Sequence, residues 1–349
     1  MTALSFDAPT LAPDIAPHTP MADGSPQRGG APSSPGAPGA SCAVGATLIC
    51  ADGRPLAADW IEPASGRAHA VALMSAAAGV PRGYYRAFAH WLAGRGYATL
   101  TYDYRGIGGS RLAHGVRADH ATMRDWALLD MAAAIAAAQH RRGRDDPSRR
   151  LPLLLIGHSF GGNAIGFAQG VEQADAILAI GSQSAEWRHW PVLTRPMVAA
   201  FFGAWVPATL KVFGSLPGWA LGGGAQPMPA GVARDWSAWG LRRGAHFSDP
   251  AIAPHNRFAK IVAPVHLWSI EDDWAFAPRS AVDALAGQFP AAVVQRHHLR
   301  PADAGMRSIG HFGAFRRGAG AAVWERLLQP IEGASPALGA RPDPTARLS

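Results

Sequence analysis

The stretch Leu153–Gly162, which reads LLLIGHSFGG, carries the most specific pattern in the chain. A Gly-x-Ser-x-Gly pattern alone is weak in a chain with 40 glycines, because chance supplies such matches. Here, however, four apolar residues lead directly into Gly157, and a helical pattern starts at Gly161. A serine at such a strand-to-helix turn is held in a strained backbone conformation that exposes its hydroxyl. The pattern predicts Ser159 as a nucleophile, with the Phe160 amide donating to developing negative charge.

Short apolar runs alternate with longer helical patterns on both sides of this stretch. The expected strands are 47–50, 56–61, 69–75, 97–102, 151–156, 176–180, 265–269 and 291–299, and the expected helices are 84–95, 122–140, one from 161, 279–289 and 319–328. This alternation predicts an α/β fold with a mostly parallel central sheet flanked by helices on both faces. Asp52-Gly53 favours a tight turn, so the first two strands should form an N-terminal antiparallel hairpin at one edge.

Composition divides the chain into segments. Pro, Gly and Ala make up 21 of the first 40 residues, which predicts a disordered tail over 1–43. Residues 331–349 have a similar character and are expected to be a flexible C-terminal tail. Residues 184–256 interrupt the strand–helix rhythm and hold six of the twelve tryptophans, which predicts an inserted helical cap. The core of the fold is then 44–183 and 257–330.

A serine nucleophile needs a general base, and the chain has 14 histidines. His311 lies in a glycine-flanked loop between the last expected strand and the last helix, where an imidazole is free to reach a site. His297 and His298 lie within a strand, where neighbouring side chains point to opposite faces. We therefore predict His311 as the base, with His298 as the second choice.

The imidazole of a serine nucleophile's base is normally oriented by a carboxylate. Three acidic residues, Glu271-Asp272-Asp273, follow a buried strand. Counting from the strand end favours Asp272, and counting back from Pro278 favours Asp273. Asp272 is preferred, with Asp273 as the alternative, and the order serine, acid, histidine is the one expected after a turn of this kind.

The loop after strand 69–75 reads AAAGVP over residues 76–81. Small residues there let backbone amides approach a tetrahedral oxyanion. We expect Ala77 to be the donor that complements Phe160, with Ala76 as the alternative.

Other patterns exclude several function classes. The two lysines, Lys211 and Lys260, do not follow a glycine, so a Walker phosphate loop is absent. Arg111 replaces the third glycine of a dinucleotide fingerprint, and no histidine or cysteine spacing fits a metal site. The net charge of +7 comes from dispersed arginines. We expect no cofactor, no metal and no nucleic-acid partner, and a small-molecule substrate.

Several features favour a soluble cytoplasmic protein. Cys42 and Cys50 lack a Cys-x-x-Cys partner, as expected for free thiols in a reducing compartment. The first 20 residues contain neither Arg nor Lys and do not resemble a signal peptide. The longest apolar stretch, near 197–210, contains Pro207 and is shorter than the roughly 18 residues that a spanning helix needs. No stable membrane insertion is expected.

These motifs together resemble the α/β-hydrolase superfamily over nearly all of 44–330. The resemblance rests on the serine turn at Gly157–Gly162, the turn Tyr102–Gly106, the acidic loop and His311. The chain is similar to serine aminopeptidase-like and lysophospholipase-like members, and most to predicted bacterial hydrolases without settled substrates. One departure is Ser75-Ala76-Ala77-Ala78, where many members carry His-Gly.

The segments that match the bacterial group contain aromatic residues, which are enriched in apolar pockets. Three of them are expected to bind substrate: Tyr84, Trp236 and Trp239. The resemblance implies a serine hydrolase that cleaves a carboxylic ester or thioester of a small to medium apolar substrate through an acyl-enzyme. An acyltransferase with the same triad, an aminopeptidase or amidase, and a non-catalytic scaffold are the alternatives.

Overall fold

The computed structural model describes residues 41–144, 150–221, 225–316, 319–335 and 337–339. The predicted tail over 1–43 lies outside the described residues up to position 40, but its last two residues belong to the first strand, which begins at Cys42. Of the predicted tail over 331–349, residues 336 and 340–349 lie outside the described residues. The prediction is wrong for residues 331–334, which end the last helix, and both Ile331 and Leu338 are buried in the core.

Ten strands are formed within the described ranges. They are β1 (Cys42–Ile49), β2 (Pro55–Glu62), β3 (Ala70–Ser75), β4 (Tyr97–Tyr102), β5 (Leu153–His158), β6 (Ala176–Ile180), β7 (Ser215–Leu216), β8 (Met228–Pro229), β9 (Val265–Ile270) and β10 (Val294–Leu299). The α-helices are α1 (Arg86–Gly94), α2 (Met123–Asp125), α3 (Met131–Arg142), α4 (Phe160–Asn163), α5 (Arg195–Ala200), α6 (Val206–Phe213), α7 (Ala230–Leu241), α8 (Arg279–Ala286), α9 (Gly310–Gly313) and α10 (Gly320–Ala334).

Eight strands form the central sheet in the order β1-β2-β4-β3-β5-β6-β9-β10. The six strands from β4 to β10 in that order pair in parallel, and β1 and β2 form an antiparallel hairpin that joins β4 at one edge. Strands β3, β4, β5, β6 and β9 are buried along their whole length, as a sheet covered on both faces requires. The α/β prediction with an N-terminal hairpin is confirmed.

The helix expected from Gly161 is much shorter than predicted. It spans only Phe160–Asn163 and is followed by a 3-10 turn at Ile165–Phe167. Its sequence, FGGN, contains two glycines, which are poor helix formers, so the apolar pattern that follows does not propagate one long helix.

The apolar stretch within residues 184–256, the segment expected to form the cap, is longer than predicted. A continuous helix runs from Arg195 to Phe213 through a π turn at Phe201–Trp205, and Pro207 lies in its second half without ending it. The π turn lies just before the proline, where the regular hydrogen-bond ladder would otherwise be interrupted. Length and composition alone would let these 19 residues cross a membrane, and only 22% of an 18-residue window is buried.

Parallel strands deliver the candidate residues to one edge of the sheet. Ser159 directly follows β5, Asp272 and Asp273 follow β9, and His311 follows β10. Because the carboxyl ends of parallel strands meet at the same edge, residues far apart in sequence converge there.

Candidate active site

Ser159 occupies the strained turn that the sequence predicts. Its φ is +53°, and among the described residues Ala245 is the one other non-glycine with a positive φ. Side chains cannot be added on either side of the turn. A Cβ at Gly157 would lie 2.4 Å from the Gly162 nitrogen, and one at Gly161 would lie 2.1 Å from the Ser75 carbonyl oxygen. The turn therefore requires glycines at these positions, and the strain is fixed by the surrounding backbone.

The first turn of α4 leaves an amide available beside the serine. The Ser159 carbonyl accepts hydrogen bonds from the Gly162 and Asn163 amides, both at 3.1 Å. The Phe160 amide has no hydrogen-bond acceptor within the described part of the chain. The structure thus places a free N–H donor next to the Ser159 hydroxyl, where the sequence predicts one.

His311 is paired with an aspartate at 2.6 Å between His311 Nδ1 and Asp273 Oδ2. Asp273 is 3% exposed, and its other oxygen accepts hydrogen bonds from the amides of Phe276 and Ala277. A carboxylate can only accept, so His311 donates from Nδ1 in this pair. Its Nε2 is then left to face the reacting group.

The preference for Asp272 is wrong as to which carboxylate contacts the imidazole. Asp272 instead accepts hydrogen bonds from the backbone amides of Ile309 and Gly310, each at 2.9 Å. The error has a simple origin: β9 extends to Ile270, one residue beyond the expected end, so counting from the strand end is off by one. The two aspartates thus have different roles. Asp272 bonds to the backbone next to His311, and Asp273 orients the His311 ring.

A buried chain of hydrogen bonds links the loop after β3 to the His311 segment. The Ala77 amide donates to the Tyr85 hydroxyl at 2.9 Å, and this hydroxyl lies 2.8 Å from His158 Nδ1. His158 Nε2 lies 2.8 Å from the carbonyl oxygen of His311. Since a carbonyl only accepts, His158 carries its proton on Nε2 and accepts from Tyr85 on Nδ1.

Burial favours the neutral form of His158. Its ring is fully buried, and desolvation followed by the nearby His311 lowers its pKa well below the usual range. Tyr85 is also buried, and desolvation raises its pKa. A neutral ring with one donor and one acceptor is what the chain of hydrogen bonds requires.

This chain also corrects the oxyanion prediction. Ala77 was expected to have a free amide, but that amide already donates to Tyr85. The sequence offered no sign of this, because the acceptor lies eight residues further along the chain. The alternative donor, Ala76, stays a prediction, as does the role of Phe160.

The three aromatic residues expected to bind substrate have different environments. Trp236 lines a cavity together with Ser159. Tyr84 does not line this cavity, and its hydroxyl donates to the Phe312 carbonyl at 2.7 Å. Trp239 is 1% exposed, donates to Asp249 at 2.6 Å and packs against His246. The expectation that Trp239 binds substrate is therefore wrong, because this ring is buried inside residues 184–256. Tyr84 instead bonds to the segment that carries His311.

The cavity beside Ser159 has a volume of about 180 Å³ and is almost entirely apolar. Its lining comprises Ser159, Gln183, Ala185, Trp190, Met197, Val198, Phe201, Phe202, Trp236, Ala275 and Phe276. Gln183 is the one polar side chain besides Ser159 among these residues. It is 6% exposed, and its amide oxygen has no hydrogen-bond partner within the described ranges. A buried amide without a partner suits a ligand that supplies a donor.

Sequence reasoning missed Gln183 and Phe276. Gln183 follows β6 by three residues, so its place at the carboxyl edge of the sheet was a usable signal. Phe276 stacks on the His311 ring with 4.9 Å between centroids and also lines the cavity. Phe276 therefore contacts both the His311 ring and the cavity.

Ser159 and His311 lie at the same edge without a direct hydrogen bond. Ser159 is 8% exposed and His311 6% exposed, and the residue next to Ser159 is bonded to the His311 backbone. The Ser159 hydroxyl forms no hydrogen bond with any described residue. Such contacts are often long before substrate binds.

His298, the second choice for the base, takes no part in this arrangement, because its Nδ1 lies 2.9 Å from the Ser269 hydroxyl. Within the ranges that the structure describes, no group of three or more His, Cys, Asp or Glu side chains is placed to hold a metal ion.

A family model described as serine aminopeptidase, S33, matches residues 69–219. That range includes Ser159 and its turn but ends before Asp273 and His311. Together with the eight-stranded sheet and the strained serine turn, this partial match shows that the chain has the α/β-hydrolase fold. No curated protein matches this chain.

Solved structures share its fold at low sequence identity. An esterase from Pyrococcus furiosus has a TM-score of 0.55 at 14% identity, with 84% of this chain and 91% of that chain covered. Brefeldin A esterase, described as a bacterial homologue of human hormone sensitive lipase, has a TM-score of 0.55 at 15% identity, with 88% and 80% covered. An acylaminoacyl peptidase from Pyrococcus horikoshii has a TM-score of 0.52 at 14% identity, with 84% and 41% covered. At these identities the likeness shows the fold alone; with the family model, it supports a hydrolase in general.

Proposed function

We propose that this α/β-hydrolase is a serine hydrolase that cleaves a carboxylic ester or thioester of an apolar substrate. The observation that carries the proposal is the strained Ser159 turn, which lines an apolar cavity at the edge of the sheet where His311 is held by Asp273. A nucleophile, a base and an orienting acid on three separate loops form the constellation that acyl transfer needs.

In the proposed reaction, the Ser159 oxygen attacks the acyl carbon while its proton moves to Nε2 of His311. Asp273 holds the ring in the tautomer that can accept this proton and stabilises the imidazolium that forms. The Phe160 amide donates to the tetrahedral oxyanion. His311 then gives the proton to the leaving alcohol or thiol, which departs and leaves an acyl-enzyme on Ser159. Water activated by His311 releases the acid.

The cavity supports an apolar acyl or aromatic group as the substrate portion next to Ser159. Nine of its eleven lining residues are apolar, and Gln183 supplies one polar contact. None of these eleven side chains is acidic, so the cavity lacks a partner for the free amine that an aminopeptidase substrate carries. This favours an ester or thioester over a peptide with a free N-terminus.

The test is turnover and covalent labelling of the Ser159→Ala variant. Hydrolysis of 4-nitrophenyl butyrate should fall on the order of 10³-fold or more, because a triad member is removed. Labelling by a fluorophosphonate probe should be lost. Ser182→Ala is the matched control, since it removes a buried hydroxyl that contacts the same turn without touching the nucleophile. A Ser159→Ala protein that hydrolyses and labels like the native chain would contradict the proposal.

A further inference from the structure

The helix Arg195–Phe213, which we call the cap helix, and the segments directly before and after it expose large apolar side chains. Six of these residues define what we call the outer cap face: Val192, Leu193, Met197, Trp205, Val212 and Trp219. Leu193 is 94% exposed and Val212 is 72% exposed. Soluble monomers rarely leave a large continuous apolar patch in water, and such patches mark interaction surfaces.

The aromatic part of this face is continuous rather than scattered. The Trp219 ring lies 6.0 Å from the Trp205 ring and 5.7 Å from the Phe213 ring, both in edge-on contacts. Trp205 and Phe213 belong to the helix, whereas Trp219 follows it. The helix and the segment after it therefore share one apolar surface.

The charged side chains of residues 187–234, the part of the chain that holds the outer cap face, are all basic. No acidic residue occurs between Glu186 and Asp235. Glu186 is buried, forms an ion pair with Arg188 and accepts from the Gly244 amide. Asp235 is buried and paired with Arg124. Both flanking acids are thus neutralised inside the protein.

Basic residues stand at the two ends of the apolar helix. Arg195 begins it and is half-buried, with its Nε donating to the Trp190 carbonyl, and the exposed Lys211 lies in its last turn. Long basic side chains at the ends of an apolar helix can reach lipid headgroups while their stems stay in the apolar layer. The face therefore complements a negatively charged surface.

The same helix offers few groups that hydrogen-bond to a partner. Between residues 196 and 210 only Trp205 and Thr209 have polar side-chain atoms, and the Thr209 hydroxyl already donates to the Val206 carbonyl. A protein interface carries regular polar contacts, about one hydrogen bond per 100–200 Å². A lipid surface demands none in its apolar layer, and tryptophan is enriched where that layer meets the headgroups.

We propose that the outer cap face docks on an anionic phospholipid surface, with the cap helix lying in the plane of the interface. A helix in this orientation buries one apolar face and gains from basic residues near anionic headgroups. The helix does not cross the bilayer, because Val198 and Phe202 on its inner side are buried against Trp190 and Ala281. Inserting it would strip this packing from the cap.

Docking there would bring lipid close to Ser159. Met197 and Phe201 line both the Ser159 cavity and a groove on the outer side of the helix. These two side chains are the wall between the groove and the cavity. The docking proposal itself does not rest on hydrolysis.

The experiment is flotation of the full chain with vesicles, using the Ser159→Ala variant so that turnover plays no part. One set of vesicles contains phosphatidylcholine and phosphatidylglycerol in equal parts, and the other contains phosphatidylcholine alone. We expect the protein to float with the anionic vesicles and to dissociate as sodium chloride is raised, since salt screens the attraction.

A pair of double variants makes the test specific to the face. Leu193→Ser with Val212→Ser should reduce partitioning on the order of tenfold or more, because two exposed apolar contacts are lost. Val262→Ser with Val293→Ser is the matched control. Val262 and Val293 are 70% and 69% exposed, but they precede β9 and β10 at the opposite edge of the sheet. With Ser159 restored, both double variants should hydrolyse a soluble ester at the native rate.

Three outcomes would overturn the proposal. The native chain could stay with the aqueous fraction for both vesicle compositions. The two double variants could partition equally. Light scattering could find a dimer that only the Leu193 and Val212 substitutions dissociate, which would assign the face to a second copy of this chain.

Discussion

The cap helix and the segment that carries His311 differ in which side chains they bury and which they expose. Around His311, the polar groups are buried and bonded: Asp273 holds the ring, Asp272 holds the backbone, and Tyr85 and His158 connect the segment to β3 and β5. The cap helix instead leaves large apolar side chains in water. The difference indicates that buried hydrogen bonds fix the positions of the polar groups around His311, whereas the cap helix keeps an apolar surface exposed.

Substitution of the two neighbouring aspartates tests the role of the bonds around His311 and has the largest expected effect, a loss of kcat/KM. Asp273→Asn should lower kcat/KM on the order of 10³–10⁴-fold, because an amide no longer fixes the His311 tautomer. Asp272→Asn should lower it far less, because the amide keeps one oxygen for the backbone amides of Ile309 and Gly310. Steady-state hydrolysis of 4-nitrophenyl butyrate measures both. Equal losses of kcat/KM in the two variants would contradict the separate roles assigned to Asp272 and Asp273.

Two tryptophans of α7 test the cap side. Trp239→Ala should reduce the free energy of unfolding by about 3–5 kcal/mol, since it removes a buried ring and its bond to Asp249. Trp236→Ala should cost less stability but raise KM for apolar esters, because this ring lines the cavity. Urea unfolding of both variants measures the loss of stability, and KM for esters of increasing acyl-chain length measures the effect on substrate binding. A Trp236→Ala protein with native KM for every ester would remove the cavity from substrate binding.

His246 tests the junction between cap and core. Its ring is fully buried, donates to the Asn163 carbonyl at 3.0 Å, and has its pKa lowered by burial to about 4. The unfolded chain takes up this proton first, near pH 6.5. The stabilisation from a neutral His246 is therefore complete above pH 6.5 and lost as the pH falls towards 4, by about 3 kcal/mol.

The His246→Gln variant should show a shallower decline of unfolding free energy between pH 6.5 and 4.5 than the native chain. The exposed His255→Gln serves as the control and should keep the native slope. Asp130, whose pKa burial raises to about 6, gives the opposite slope as the pH rises through that value. Its contribution is present in all three proteins and cancels in the comparison. Parallel native and His246→Gln profiles would refute the prediction.

Adjacent tyrosines give the smallest expected effect. Tyr85→Phe leaves the Ala77 amide and His158 Nδ1 without partners inside the protein, which should cost about 1–3 kcal/mol of stability. Tyr84→Phe loses a single, partly exposed bond to the Phe312 carbonyl and should cost less. Chemical denaturation of both variants measures the difference. A larger loss for Tyr84→Phe would place the stabilising contact outside the buried chain.

Local sequence patterns were enough to predict the bounds of those elements in which every residue is buried. Strands β4 and β6 begin and end where the apolar runs do, since every residue in them is buried. The serine turn could be predicted because steric limits on a strand-to-helix bend act within five residues, Gly157–Gly161. His311 was identifiable from its glycine-flanked loop and its position after the last strand.

Which of two residues close together in sequence has a given role could be decided only from the tertiary structure. Asp272 and Asp273 differ by one position, and the extra strand residue Ile270 decides which carboxylate faces the ring. Trp236 and Trp239 lie three residues apart on one helix, yet one lines the cavity and the other is buried against His246. No periodicity in the sequence separates such pairs, because their environments come from other parts of the chain.

Hydrophobic periodicity predicted the order along the chain of the eight strands in the central sheet, and glycine sterics predicted the strained turn at Ser159, because both act over a few residues. Tertiary structure alone decided the partner of His311, the acceptor of the Ala77 amide and the side of the cap helix that stays in water. They depend on contacts such as the pair of Asp273 and His311, 38 residues apart, and the bond from His158 to the His311 carbonyl, 153 residues apart, which only the packed sheet and its loops set.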